Sequence, residues 1–270
     1  TMNPFKALTI AGSDTSAGAG LEADLKTFQE HGVYGMVAIT CIVAQNPKAN
    51  WSHDVFPLDL ATVEAQLTTV LEGIGVHAAK TGMLATQELI QLVVRTVKAY
   101  NVPNLVVDPV MACKGTSTPL NPEVADALRN DLMPLSTVIT PNLYEAGILS
   151  GLGAITTVEG MEEAARLLCK AGARTVLVKG GNKLVGATTA IDVVCDGHTV
   201  TRLESELFAQ AYTHGAGCTI SAAITANLAK GLPVAAAIEA AKKFESAAIK
   251  ASFPLNKWVG PLRHDAWRNG

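Results

Sequence analysis

Short apolar runs and longer stretches of helical periodicity alternate along nearly the whole chain. Residues 7–11 read as a short buried strand, and Leu21, Leu25 and Phe28 then repeat at helical spacing up to a stop at Gly32. A second strand covers 36–43 and is expected to break at Gln45-Asn46-Pro47. Leu60, Val63, Leu67 and Leu71 mark a helix, 78–81 a strand, 87–99 a helix, and 105–107 a strand ending at Asp108-Pro109. Residues 138–140 form the next predicted strand, ending at Pro141-Asn142. Helix 161–171 then leads into strand 176–179, which ends at Gly180-Gly181. Residues 191–194 and 199–203, with Asp196-Gly197 between them, read as a hairpin. Two Ala-rich helices, 216–230 and 234–251, follow.

Strands alternating with helices at this spacing predict an α/β fold with a largely parallel sheet covered on both faces. No linker, low-complexity run or repeat divides the chain, so residues 1–270 are expected to form a single domain. Polar residues recur where strands end: Asp108, Asn142 and Lys179. In open α/β sheets ligands bind at that edge, which makes these three candidates for a shared site.

Composition sharpens this picture. Apolar residues make up 49% of the chain but aromatics only 5%, so the core is expected to consist of Ala, Val, Leu and Ile, as suits a parallel sheet under Ala-rich helices. The formal net charge is −3 and no basic run appears, which argues against nucleic acid as a partner. Apolar stretches are broken by charge well short of a membrane span, and no basic-then-apolar leader opens the chain; the expectation is a soluble, cytoplasmic protein. Five cysteines without CxxC spacing suggest neither a zinc site nor a disulfide framework. Cys41, Cys169 and Cys195 fall in apolar patterns and read as small core residues. Cys113 and Cys218 differ, since each stands in a glycine-containing loop.

The stretch Thr213-His214-Gly215-Ala216-Gly217-Cys218-Thr219 opens one of the Ala-rich helices. Glycines at a helix mouth leave N–H groups bare, and with the positive end of the helix dipole they suit a phosphate. A cysteine in that position is expected to have a lowered thiol pKa. An anion cradle and a base in one turn suggest phosphoryl transfer to a hydroxyl; an inert buried Cys in a Gly-rich turn is the plainer alternative. The first loop has glycines at 12, 18 and 20, which is not the dinucleotide-binding spacing, and no Gly-Lys-Ser/Thr element marks a P-loop.

The loop Ala11-Gly12-Ser13-Asp14-Thr15-Ser16-Ala17-Gly18-Ala19-Gly20, followed by Ala23-Asp24-Leu25-Lys26-Thr27-Phe28, resembles the vitamin kinases of the ribokinase-like superfamily. The nearest branch holds the hydroxymethylpyrimidine (phosphate) kinases and the related pyridoxal kinases. The resemblance continues through Val43-Ala44-Gln45-Asn46, Lys80-Thr81-Gly82-Met83-Leu84, Val107-Asp108-Pro109-Val110-Met111 and Thr140-Pro141-Asn142-Leu143-Tyr144-Glu145-Ala146. Lys179-Gly180-Gly181, the 213–219 stretch and Val259-Gly260-Pro261 complete it. Where the superfamily usually carries an aspartate as its base, this chain has Cys218, as the pyrimidine/pyridoxal branch does.

This resemblance implies a three-layer α/β/α fold and a set of roles. Cys218 would take the proton of a primary hydroxyl, and the amides of Gly215, Ala216 and Gly217 would receive the transferring phosphoryl group. Lys179, Gly181, Asn142 and Thr213 would face ATP. Asp108 and Glu145 would hold Mg²⁺, Glu145 with Asn142 through water; a monovalent cation is a further candidate. Ala19, Asp24, Val43, Gln45 and Met83 would form the acceptor pocket. Cys113 beside Cys218 resembles the dual-cysteine pyridoxal kinases, in which a thiol can add to the substrate aldehyde. Gln45 is typical of the pyrimidine enzymes instead. The implied partners are a small vitamer and ATP, and the implied assembly is a homodimer. Rival readings are a thiamin-pathway kinase, a cysteine hydrolase built on Cys218 and His214, and a vitamin-binding protein.

Overall fold

In the computed structural model, which describes residues 3–111, 122–184, 186–208 and 212–269, the central strands are buried on both faces. Strand alternation sends successive side chains into opposite layers. Leu105 and Val107 thus enter one apolar cluster while Val106 enters the other. The sheet has nine strands in the order β3-β2-β1-β4-β5-β6-β7-β8-β9. They are β1 (Lys6–Asp14), β2 (Tyr34–Asn46), β3 (Ser52–Pro57), β4 (Ala78–Thr81), β5 (Leu105–Val107), β6 (Val138–Ile139), β7 (Val176–Lys179), β8 (Thr189–Cys195) and β9 (Val200–Glu206). Strands β2-β1-β4-β5-β6-β7 pair in parallel, whereas β3, β8 and β9 join antiparallel at the edges.

Helices α2 (Leu60–Leu71), α3 (Gln87–Ala99), α4 (Pro122–Ala127), α5 (Leu143–Ser150) and α6 (Val158–Lys170) cover one face. On the other lie α1 (Gly20–Glu30), α7 (Ala216–Ala229) and α8 (Val234–Lys250). Helix α7 is packed between α1 and α8 and against the strands. Ala222, Ala223 and Ala226 are fully buried there, because only small side chains fit a helix enclosed on several sides. The strand order reverses between β2-β1 and β4-β5, so a crevice opens beyond the carboxyl ends of β1 and β4.

The three-layer α/β/α expectation holds, and the end of one strand needs correction. Strand β2 does not break at Gln45: it runs through Asn46, because β3 pairs with it from Cys41↔Pro57 to Asn46↔Ser52. The pairing partner is illegible in the sequence, since β3 is a half-exposed edge strand without alternation of apolar and polar residues. Residues 128–132 form a π-helical turn after α4; Leu128 and Leu132 bury one face at a spacing of four. Asn142 and Glu145 close a reciprocal capping box at the start of α5. Among the described residues no helix is long and apolar enough to cross a membrane.

The chain's last turn (His264–Asn269) is latched to the helices behind the crevice. Arg268 holds Glu30 of α1 through two bonds of 2.7 and 2.8 Å. His264 Nε2 lies 3.0 Å from Thr219 Oγ1 of α7, both residues being buried. Burial, with the nearby Lys26 charge, pushes the His264 imidazole down to about 4. The unfolded histidine, near pKa 6.5, therefore binds a proton that the folded one refuses. Stability from this group is complete above about pH 6.5 and is lost as pH falls toward 4. Between pH 7 and pH 4.5 the wild type should lose about 2–3 kcal/mol more than a His264→Gln variant, measured by urea denaturation. Parallel pH dependences for the two proteins would refute this.

Candidate active site

Four of the eight described α-helices have a side-chain cap: Asp59 for α2, Thr86 for α3, Asn142 for α5 and Thr157 for α6. Helices α1, α7 and α8 have none, and of these α1 and α7 begin at the crevice. Gly215 stands at the N-cap of α7 with φ +88°, and a Cβ there would collide with the Gly18 carbonyl oxygen. The two helix mouths are therefore pressed together. The Cys218 thiol lies at their junction, where the Gly20 amide donates to it. Of the expected cradle, Ala216 N–H is engaged by Thr213 O at 3.2 Å, while helix geometry leaves the Gly217 and Cys218 amides without an intrahelical partner.

A cavity of about 330 Å³ passes in front of this junction. On one side its wall comes from the first loop, β2 and the loop after β4. Ala19, Val43, Gln45 and Met83 line it as expected. Asp24 does not: it is fully buried behind the wall, where its Oδ2 takes 2.6 Å and 2.8 Å bonds from Thr9 and Lys80. Lys80, equally buried, reaches the cavity from this pair. Burial opposes the ammonium, yet Asp24, with Asp108 adding, outweighs it and holds Lys80 above its ordinary range.

Two wall residues escaped the sequence reading. Asp14, at the end of β1, accepts from Ser16 N–H, Ala19 N–H, Gln45 Nε2 and His214 Nε2 at 2.7–2.9 Å. Burial pushes this carboxyl up, but the bonds from His214, Ser16 and Gln45 hold it far below the ordinary carboxylate range. Its position in the first loop was legible and its role as a hub was not, because Gln45 and His214 reach it from 31 and 200 residues away. His53, from the unforeseen strand β3, lines the same wall with a buried Nδ1 that has no partner. Burial and the neighbouring His214 hold this imidazole below its usual range. His214 is committed to Asp14, not to Cys218, which removes the basis for a cysteine hydrolase.

On the other side of the junction lie the ends of β5, β6 and β7. Lys179 Nζ sits 3.0 Å from where a Cβ on Gly217 would stand, so the missing side chain lets the ammonium reach the helix mouth. Asp108 Oδ1 accepts from Lys179 at 2.9 Å and from Thr140 at 3.2 Å. Burial works against the Lys179 charge, but Asp108 and Glu145 outweigh it and hold the amine above its ordinary range. Glu145 Oε2 accepts from the Asn142 N–H at 2.8 Å. Burial, opposed by Lys179 and assisted by Asp108, pushes Glu145 up to about 7. Asn142, Gly181 and Thr213 line the cavity here.

The Cys218 thiol contradicts expectation. Two helix mouths should lower its pKa, but burial dominates and pushes it up to about 12, against the opposing pull of Lys80 and the Gly20 amide. Cys113 lies outside the described residues. Among those described, no group of three His, Cys, Asp or Glu side chains is placed to hold a metal ion. Asp108 and Glu145 nevertheless fit Mg²⁺ shared with phosphates, which needs only one or two carboxylates and keeps its waters.

A largely parallel sheet that brings an uncapped helix mouth and a lysine together at its carboxyl edge has a build that suits phosphoryl transfer. The phosphomethylpyrimidine kinase family matches residues 14–263, and the chain belongs to that family. It is 57% identical over 267 residues to a pyridoxine kinase of Bacillus subtilis (strain 168), covering 99% of this chain and 98% of that protein. An ADP complex of Bacillus subtilis pyridoxal kinase superposes with a TM-score of 0.96 at 56% identity, over 99% of this chain and 100% of that one. The Staphylococcus aureus pyridoxal kinase in complex with AMP-PCP and pyridoxal does so at 0.93 and 47%, over 98% and 95%.

Removing one partner of the buried Asp24–Lys80 pair leaves an uncompensated charge. Lys80→Met should cost about 3–5 kcal/mol in urea denaturation, and adding Asp24→Asn should recover most of it. A double variant no more stable than Lys80→Met would show that Asp24 is not what Lys80 neutralises.

Proposed function

We propose that the chain is an ATP-dependent kinase for the 5′-hydroxymethyl group of pyridoxal, pyridoxine and pyridoxamine, with hydroxymethylpyrimidine as a further acceptor. In this reading residues 1–270 work as one domain. One observation carries it: the Cys218 thiol stands at two uncapped helix mouths, between an acceptor wall and the Lys179 ammonium. The Bacillus subtilis and Staphylococcus aureus relatives, captured with ADP and with AMP-PCP and pyridoxal, support the choice of substrates.

The geometry divides the labour. Asp14 fixes Gln45, His214 and Ala19 and so shapes the wall against which a flat heterocycle lies. Its hydroxymethyl group then faces Cys218. Lys179 and the amides of Gly217 and Cys218 meet the charge that grows on the phosphoryl oxygens, the main demand of phosphoryl transfer. Asp108 and Glu145 would hold Mg²⁺, whose charge neutralises the phosphate oxygens. Cys218 must lose its own proton before it can take one. Lys80 and the Gly20 amide favour that loss and burial opposes it. Cys113 is assigned to the aldehyde of pyridoxal: its sulfur bonds the carbonyl carbon, and the thiol proton passes to the carbonyl oxygen.

A thiamin-pathway kinase for hydroxymethylpyrimidine and its monophosphate is the second reading, favoured by Gln45 on the acceptor wall. Incubation with ATP, Mg²⁺ and each vitamer separates the two. The first requires ADP in step with phosphorylated pyridoxal; ADP with pyrimidine substrates alone selects the second. Neither product would remove the kinase reading.

Cys218→Ala should reduce kcat by about 10²–10⁴-fold with nucleotide binding nearly intact. Cys218→Asp places a carboxyl, which ionises at far lower pH than a thiol, in the same buried site, so its rate should level off at a lower pH than the wild-type rate, which still climbs up to about pH 9. A wild-type profile that levels off at the same pH would show that the thiol does not limit the rate by its ionisation. Cys113→Ala should lower kcat/KM mainly for pyridoxal, by about tenfold, and change pyridoxine and hydroxymethylpyrimidine little. An equal fall for all three would end the aldehyde assignment.

A further inference from the structure

Three charged side chains are buried together beside the nucleotide half of the cavity: Asp192 of β8, and Lys242 and Glu245 of α8. Lys242 Nζ lies 2.6 Å from Asp192 Oδ2 and 3.2 Å from Glu245 Oε2. The other carboxylate oxygen of Asp192 accepts from Gly180 N–H at 3.0 Å and lies 3.5 Å from Gly181 N. Asp192 is also the register partner of Lys179 across β7 and β8. It therefore grips the turn by which the chain leaves β7, immediately after the lysine that faces the phosphates.

Stability alone does not explain this cluster. A buried ionic group is costly to desolvate, and well-packed apolar residues of the same volume serve stability as well or better. The turn it holds has no slack, since a Cβ on Gly180 would run into the Ile191 carbonyl oxygen of β8. A shift of Asp192 is thus passed directly to residues 179–181. The acceptor wall hangs on Asp14, which takes its bonds from Ser16, Ala19, Gln45 and His214 and from none of the three.

We infer that Asp192, Lys242 and Glu245 form a positioning unit for the nucleotide. Asp192 sets the 180–181 turn and with it Lys179, Lys242 sets the Asp192 carboxylate, and Glu245 sets Lys242. None of the three is a catalytic residue; each acts through the turn. The inference rests on the kinase reading for the identity of the ligand, and its geometry is independent of which vitamer is the acceptor.

The test compares the wild type with Asp192→Ala, Asp192→Asn, Lys242→Met and Lys242→Arg. Steady-state constants for ATP and pyridoxal, calorimetric ADP binding and thermal melts are measured on each. Asp192→Ala and Lys242→Met should raise the ATP KM and the ADP Kd about tenfold while the pyridoxal KM stays within about twofold. Lys242→Arg, which keeps the charge beside Asp192, should restore most of the nucleotide affinity. Should the first two fail to fold, Asp192→Asn retains the shape and an acceptor for Gly180 but loses the ion pair, and a smaller rise confined to the nucleotide is expected. Unchanged nucleotide constants, or ATP and pyridoxal constants rising together as Tm falls, would overturn the positioning unit. A wild type that makes no ADP with any vitamer would instead overturn the kinase reading, and ADP calorimetry on the same variants would still decide the unit.

Discussion

The close approach of Gly215 to Gly18 is the constraint on which the site depends. Two helix N-termini normally keep apart or are capped, because each carries unsatisfied donors and the positive end of a dipole. Here the absent side chain at Gly215 lets them meet, and no capping side chain consumes the amides. The chain bears an electrostatic cost for this in the ligand-free state. Such a junction is a place for negative charge, and the thiol and the transferring phosphate are the anions that it can serve.

Three largely buried lysines stand around the same cavity. Lys80 answers Asp24, Lys179 answers Asp108, and Lys242 answers Asp192. Each pair ties a strand, or the loop that follows it, to a neighbouring element, and each leaves a carboxylate or an ammonium on the cavity wall. Charges so paired are held in one geometry before any substrate arrives. That is what a reaction needs when its barrier is set by electrostatics and orientation more than by covalent chemistry.

How much of this was legible in the sequence follows from the range of each interaction. Periodicity locates α1, α2, α3, α6, α7 and α8 and eight of the nine described strands, because hydrophobic spacing is a local property. Strand β3 was missed because an exposed edge strand has no apolar pattern to show. Asn142 and Glu145 stood at capping-box spacing, yet the strand end nearby drew attention to a metal instead. Cys218 was found from the glycines around it, but its raised pKa was not, because burial depends on what the distant α1 and β4 place around the thiol. Asp24 was put in the pocket by its place in a motif, and only the packing of Lys80 shows that it stands behind it.

The edges of the sheet carry a consequence for behaviour at high concentration. A nine-stranded sheet presents two rows of unpaired backbone groups, and such rows template aggregation. Strand β3 ends in Pro57, which has no N–H to offer, and carries His53 and Asp54. On β9, Arg202 and Glu204 occupy the outer edge, with Arg202 drawn toward Glu162 of α6. Both margins are thus blunted by charge or by proline, so sheets of neighbouring molecules gain little by joining end to end.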